Sequence, residues 1–116
     1  MILLNFSLPL APEQVAKIEH MLHLRIERVI ELSIYFQENK PFVPQFHEAF
    51  LVMPFSPDQW QTLPLLVNLP PDNYISVLIM AELHRRMGYV APFIRLKPMG
   101  RAGSPYVEVV KIVNLQ

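Results

Sequence analysis

Short apolar runs alternate with segments of helical periodicity along this chain, and many of its 12 prolines separate them. Residues 2–6 and 64–69 are largely apolar, which is typical of strands buried on both faces of a sheet. Residues 12–22 place apolar side chains at helical spacing, and residues 70–87 do so after the sequence Pro-Pro-Asp-Asn. This alternation predicts a mainly parallel sheet flanked by helices, an α/β fold.

The remaining segments complete one domain of 116 residues. Residues 25–36 alternate partly between apolar and polar, which predicts a second strand, and residues 45–53 predict a short helix. Ser56 begins a capping box that starts a short helical turn carrying Trp60. Residues 93–97 and 106–115 predict two further strands. No helix separates them, only a turn over 98–105, so they are expected to pair as a C-terminal antiparallel hairpin.

The sequence also predicts where a ligand binds. In open α/β sheets, ligands bind beyond the carboxyl ends of the strands, where the winding direction switches. If the first and third strands are neighbours, this edge brings together two asparagine-containing strand ends. Lys97 near the end of the fourth strand, and Arg101 in the glycine-flanked turn after it, could close over the ligand. The predicted ligand-binding residues are Asn5, Phe6, Ser7, Asn68, Leu69, Pro70, Lys97 and Arg101.

Composition narrows the classes of partner. Ten basic residues balance ten acidic ones, so no basic surface for a long nucleic acid is expected. There is no cysteine, which excludes disulfides, thiolate metal sites and cysteine nucleophiles. No apolar run is long enough to span a membrane, and the first residues do not form a signal peptide. The histidines lack metal-ligand spacing. We therefore expect a cytoplasmic protein without metal, cofactor or membrane partner.

Four sequence segments resemble those of a known family: LLNFSLPLAPEQ, SPDQWQTLPLLVNLP, AELHRRMG and IRLKP. They resemble a small CRISPR-associated accessory family, Csx-fifteen, found with type III systems, and the similarity covers nearly the whole chain. The resemblance implies a Rossmann-like fold related to the CARF domains, which bind cyclic oligoadenylates. It further implies a homodimer or higher oligomer that holds cyclic tetra-adenylate across a twofold axis and so controls antiviral signalling.

Three functions remain open at this stage. The chain could sequester cyclic tetra-adenylate, cleave it as a metal-independent ring nuclease, or act as a protein-interaction subunit without a nucleotide ligand. Sequestration is favoured because no acid–base pair accompanies Ser7 and no nucleophile-elbow motif surrounds it. Helix N-termini at Pro12 and Asp72 are expected to offer amide donors to phosphates. Asp72 is more simply explained as a helix cap. Arg85 and Arg86 are more simply explained as solvated charges at a helix C-terminus.

Overall fold

Strands and helices follow one another in the predicted order in the computed structural model, which describes residues 1–32, 37–100 and 106–115. Five strands and four helices lie within those ranges. The strands are β1 (Ile2–Asn5), β2 (Arg28–Glu31), β3 (Leu65–Asn68), β4 (Phe93–Met99) and β5 (Tyr106–Val113). The helices are α1 (Pro12–Leu22), α2 (Phe42–Leu51), α3 (Pro57–Thr62) and α4 (Asn73–Met87).

The sheet is mixed, with the strand order β2-β1-β3-β4-β5. β1 pairs in parallel with both β2 and β3, β3 pairs in parallel with β4, and β5 runs antiparallel to β4. The predicted α/β class and C-terminal antiparallel pair are therefore confirmed. β1 and β3 are neighbours, so the carboxyl ends at Asn5 and Asn68 lie side by side in register. The chain winds outward in opposite directions from this point, which makes it the topological switch of the sheet.

Hydrophobic clusters cover both faces of the sheet. Leu4, Leu65 and Val67 point to the face covered by α2, α3 and α4, whereas Leu3 and Leu66 point to the face covered by α1. Successive side chains of a strand alternate between faces, so β1 and β3 must be apolar almost throughout. The near-continuous apolar runs of the sequence follow directly from this burial.

Local sequence signals set the ends of the helices. At α3, the Ser56 hydroxyl accepts a hydrogen bond from the Gln59 amide, and the Gln59 side chain accepts one from the Ser56 amide. At α4, the Asp72 carboxylate caps the first turn, and Gly88 ends the helix in the left-handed region with φ of 85°. Glycine adopts this conformation without the steric cost that a Cβ atom brings.

The bounds of several elements differ from the prediction. α2 begins at Phe42 instead of residue 45. Pro44 is compatible with this earlier start, because it lies in the first turn, where the backbone amides have no intrahelical partner. β2 extends only over Arg28–Glu31, and residues 33–36 of the predicted strand lie outside the described residues. β4 continues past Lys97 to Met99, and it includes Pro98.

β4 and β5 run on together beyond the rest of the sheet. β4 pairs with β3 at Phe93, while its pairing with β5 continues to Met99. We call residues 94–99 and 106–112 the β4–β5 arm. Pro98 is tolerated there because the arm has a strand neighbour on one side only. α1 holds the arm through Gln14, whose Nε2 donates to the Val107 carbonyl at 2.8 Å, and through a 2.7 Å ion pair between Lys17 and Glu108.

None of the helices in the described part of the chain is long and apolar enough to cross a membrane.

Candidate functional site

A cleft of about 470 Å³ lies at the carboxyl end of β3. Its floor is the end of β3, and its walls are the loop after β1, the start of α4 and the β4–β5 arm. We call it the β3 cleft. Its volume is within the range of ordinary small-molecule sites. The lining residues are Ser7, Leu8, Asn68, Leu69, Pro70, Pro71, Asn73, Ser76, Phe93, Ile94, Arg95, Leu96, Pro98 and Val107.

The cleft exists because neighbouring strands end at different levels. β3 stops at Asn68, where Pro70 and Pro71 end the extended run, but β4 continues for six residues past its pairing at Phe93. The arm therefore stands above the end of β3 and faces the first turns of α4. The cleft extends from the switch between β1 and β3, at which the sequence predicts a ligand site, to the β4–β5 arm.

A polar ladder crosses three strands beneath the cleft. Glu31, Asn5 and Asn68 stand in register on β2, β1 and β3. The Asn5 side-chain nitrogen donates to Glu31 Oε2 at 2.8 Å and to the Leu8 carbonyl at 3.0 Å. Its oxygen accepts from the Ser7 amide at 3.1 Å and from Asn68 Nδ2 at 2.8 Å. Asn5 thus uses both donors and both acceptor sites while it is fully buried.

The structure brings together half of the predicted ligand-binding residues. Ser7, Asn68, Leu69 and Pro70 line the β3 cleft. Asn5 and Phe6 do not line it; both are buried, and the Phe6 ring packs on Phe50. Asn5 therefore supports the cleft from below. Lys97 is exposed on the arm but is not among the lining residues. Arg101 lies outside the described residues.

Arg95 lines the cleft, although the sequence pattern favoured Lys97. Arg95 is the only charged side chain among the described residues that line the cleft. It is exposed, and it forms no ion pair with another described side chain. The alternation of residues 94–97 in the sequence already indicated that Arg95 and Lys97 share one face of the strand. The register between β3 and β4 decides which of the two residues lines the cleft, and no local sequence pattern encodes that register.

The N-terminus of α4 borders the cleft, but Asp72 already caps two of its amides. Asp72 Oδ1 accepts from the Tyr74 amide at 2.8 Å and from the Ile75 amide at 3.2 Å. The carboxylate thus occupies the place that an anion would take, and Asp72 is a helix cap, as the simpler explanation held. The N-terminus of α1 does not line the cleft either. Of the two helix N-termini expected to supply donors to a phosphate in this crevice, that of α1 therefore lies outside the cleft lining and that of α4 is capped by Asp72.

A second charged group lies on α4 away from its N-terminus. Glu82 is buried and accepts hydrogen bonds from both Arg85 and Arg86. The Arg86 guanidinium also stacks over Phe50 and Trp60, at 5.2 and 5.5 Å from the ring centroids. The hydrogen bond from Arg85 is the main reason that the pKa of Glu82 lies below its ordinary value, against the opposing effect of burial. Arg86 is thus part of the packing between α2, α3 and α4, contrary to the expectation of a solvated charge.

The described residues contain no cluster of three or more histidine, aspartate or glutamate side chains able to hold a metal ion. His47 is exposed on α2 and packs its ring edge-on against Phe46, outside the β3 cleft. Trp60 and Phe46 are buried in the core, so neither presents a ring to a ligand. Phe42 contacts the ring of Tyr74 at the N-terminal ends of α2 and α4.

Comparison of this chain with protein-family profiles, with curated proteins and with solved structures gives no match. The resemblance to the Csx-fifteen family therefore stays a prediction.

Proposed function

We propose that this chain binds cyclic tetra-adenylate at the β3 cleft and lowers its free concentration by sequestration, thereby regulating type III CRISPR signalling. The observation that carries the proposal is a cleft at the switch point of the sheet with the lining that a nucleotide requires. Its wall combines apolar surface from Leu69, Phe93 and Leu96 with the polar Asn68 and the cation Arg95. Apolar surface accommodates a base, and one guanidinium pairs with a phosphate.

The size of the cleft supports a ligand shared between two copies. A ring of four nucleotides is larger than a cleft of about 470 Å³, so one chain can enclose only part of it. A twofold dimer presents each cleft twice, which suits a ligand with its own rotational symmetry. Exposed apolar side chains surround this edge of the sheet and would be covered in such a dimer: Leu8, Val43, Tyr74 and Val77.

The composition of the cleft favours capture over cleavage. Its described lining offers amides, hydroxyls and one arginine but no histidine or carboxylate that could move a proton. Ser7 lines the cleft without a neighbouring histidine in that lining, so no activated nucleophile is formed. Cleavage would depend on positioning of the ribose hydroxyl alone.

The test adds a large excess of cyclic tetra-adenylate to the purified chain in EDTA and follows linear products by chromatography. Capture predicts a binding isotherm that saturates at one ring for two chains, with the ligand recovered intact. Complete conversion over many turnovers would replace sequestration by a metal-independent ring nuclease. The absence of any binding would leave a protein-interaction subunit as the remaining function.

A further inference from the structure

We propose that the β3 cleft selects a base with an exocyclic amino group through the side-chain oxygen of Asn68, and that Asn5 is the positioning residue that fixes this oxygen as an acceptor. The cleft would thus prefer adenine to a purine that lacks the amino group. The inference rests on the proposed function only in taking a nucleotide as the ligand of the cleft.

The orientation of the Asn5 amide is determined by backbone groups, which have a fixed role in hydrogen bonding. The Ser7 amide can only donate, so the atom it meets at 3.1 Å must be the Asn5 oxygen. The Leu8 carbonyl can only accept, so the atom at 3.0 Å from it must be the Asn5 nitrogen. These two contacts exclude the flipped amide, which would place like groups against each other.

The fixed Asn5 amide in turn fixes Asn68. The Asn5 oxygen faces the Asn68 side chain at 2.8 Å and needs a donor there, so Asn68 must present its nitrogen to Asn5. The Asn68 oxygen is left as the other end of the amide. It accepts no hydrogen bond from the described residues, and no side-chain polar atom among them is both fully buried and unpaired. Asn68 is 1% exposed and lines the cleft, so in this proposal its oxygen is the preset acceptor for a ligand.

A fixed acceptor distinguishes ligands that a mobile amide would not. Asn73 also lines the cleft, but its exposed side chain has no hydrogen bond to the described residues, so it can turn to suit either kind of partner. Asn68 can turn only by breaking its contact with Asn5. A ligand that offers a donor satisfies the Asn68 oxygen, whereas one without a donor leaves it desolvated and unpaired. The 6-amino group of adenine is such a donor.

The experiment compares AMP with purine riboside 5′-monophosphate, which has the same shape and charge but lacks the amino group. Each is titrated into the full-length chain at millimolar concentration, and backbone amide NMR shifts give the two dissociation constants. We expect AMP to bind about tenfold more tightly, because the missing donor leaves the Asn68 oxygen unpaired. The ratio of the two constants is the readout, since a purely structural role of Asn68 would alter both constants alike.

Variants assign the selectivity to its residues. Asn68→Ala should reduce the ratio to about one, and Asn5→Ala should reduce it as well, because the released Asn68 amide can then turn. Gln61→Ala, an exposed amide on α3 before the amino end of β3, is the control and should keep the wild-type ratio. If Asn5→Ala fails to fold, the ratios measured for the wild-type chain and for Asn68→Ala still show whether Asn68 causes the preference for AMP.

Two outcomes overturn the inference: equal binding of both nucleotides by the wild-type chain, or binding of neither. The proposed function fails separately. If AMP is preferred but cyclic tetra-adenylate does not bind, the proposed selectivity of the cleft is supported and the proposed function is contradicted. If cyclic tetra-adenylate binds but the two mononucleotides bind equally, the proposed function is supported and the proposed role of Asn68 is contradicted.

Discussion

Two asparagines at adjacent strand ends show how one residue type takes two roles. The sequence predicted both Asn5 and Asn68 to contact a ligand, since an apolar strand has little other reason to end in an amide. The structure supplies another reason: the amides bond to each other and close a ladder that begins at Glu31. Asn5 uses all its hydrogen-bonding capacity within the protein, whereas the side-chain oxygen of Asn68 accepts no hydrogen bond from the described residues. Only Asn68 is therefore available to a ligand.

Arg95 and Lys97 permit a direct comparison at the residue scale. Arg95→Ala should weaken the binding of cyclic tetra-adenylate by about tenfold or more, because a charge-assisted contact contributes ~1.5–3 kcal/mol. Lys97→Ala removes an equal charge two residues along the same strand but outside the cleft lining, and should change affinity little. Calorimetric titration of both variants checks this. A larger effect of Lys97 would mean that the ligand lies farther out on the arm.

Glu82 gives a prediction for pH. Its folded-state pKa is lowered below the ordinary value of 4.5, chiefly by the hydrogen bond from Arg85, so the unfolded chain binds its proton more readily. The resulting stabilisation is present above that ordinary value and is lost as pH falls through the folded-state pKa. Glu82→Gln should therefore cost about 1–2 kcal/mol near neutral pH and progressively less in acid.

Urea denaturation of wild type and Glu82→Gln at several pH values measures this difference. Glu48→Gln serves as the control, because Glu48 is exposed on α2 and forms no ion pair with a described side chain. A constant difference between pH 7 and the acid range would show that the ionised Glu82 contributes nothing to stability.

At the scale of elements, the two faces of the sheet are unequally covered. Three helices pack on one face through a large aromatic and aliphatic cluster, whereas α1 alone covers the other face. α1 also holds the β4–β5 arm through Gln14 and Lys17. Any displacement of α1 would therefore move a wall of the β3 cleft, even though no residue of α1 lines it.

Ile18 tests how tightly α1 packs on the sheet. It is the one fully buried residue of α1 and packs against Leu3, Leu66 and Val109. Ile18→Ala should destabilise the protein by about 3 kcal/mol, which is the typical cost of a large-to-small change in a core. Leu51→Ala, at a position 80% exposed on α2, should cost far less. Denaturant unfolding of both variants measures the costs, and similar values would show that α1 is not a tightly packed element.

At the scale of the whole molecule, part of the exposed apolar surface lies at the edge that carries the cleft. Leu8, Val43, Tyr74 and Val77 are exposed in the loop after β1 and in the first turns of α2 and α4. Balanced charge and exposed apolar side chains both favour self-association. Association through this edge would join two β3 clefts, which is the arrangement that a large cyclic ligand needs.

The expected oligomer is at least a dimer, so light scattering at micromolar concentration should give about twice the chain mass of 13.5 kDa, or more. Val77→Asp should shift the mass toward the monomer, because it puts a charge into the proposed interface. Leu51→Asp is the matched control at the far end of α2, where the side chain is 80% exposed, and should leave the mass unchanged. A wild-type monomer would remove the proposed twofold site.

The sequence alone determined the order and type of the elements. Buried strands require near-continuous apolar runs, and helices require a periodic apolar face with capping residues such as Ser56, Asp72 and Gly88, so these features are visible in a linear pattern. It also predicted the edge that carries the β3 cleft, because the carboxyl ends of parallel strands share one edge. Tertiary structure alone decided that β4 extends beyond the end of β3 and that Arg95 lines the cleft. It also decided that the Asn5 side chain forms all its hydrogen bonds within the protein. Those facts depend on strand register and on hydrogen bonds between residues as far apart as Asn5 and Asn68, which no local pattern encodes.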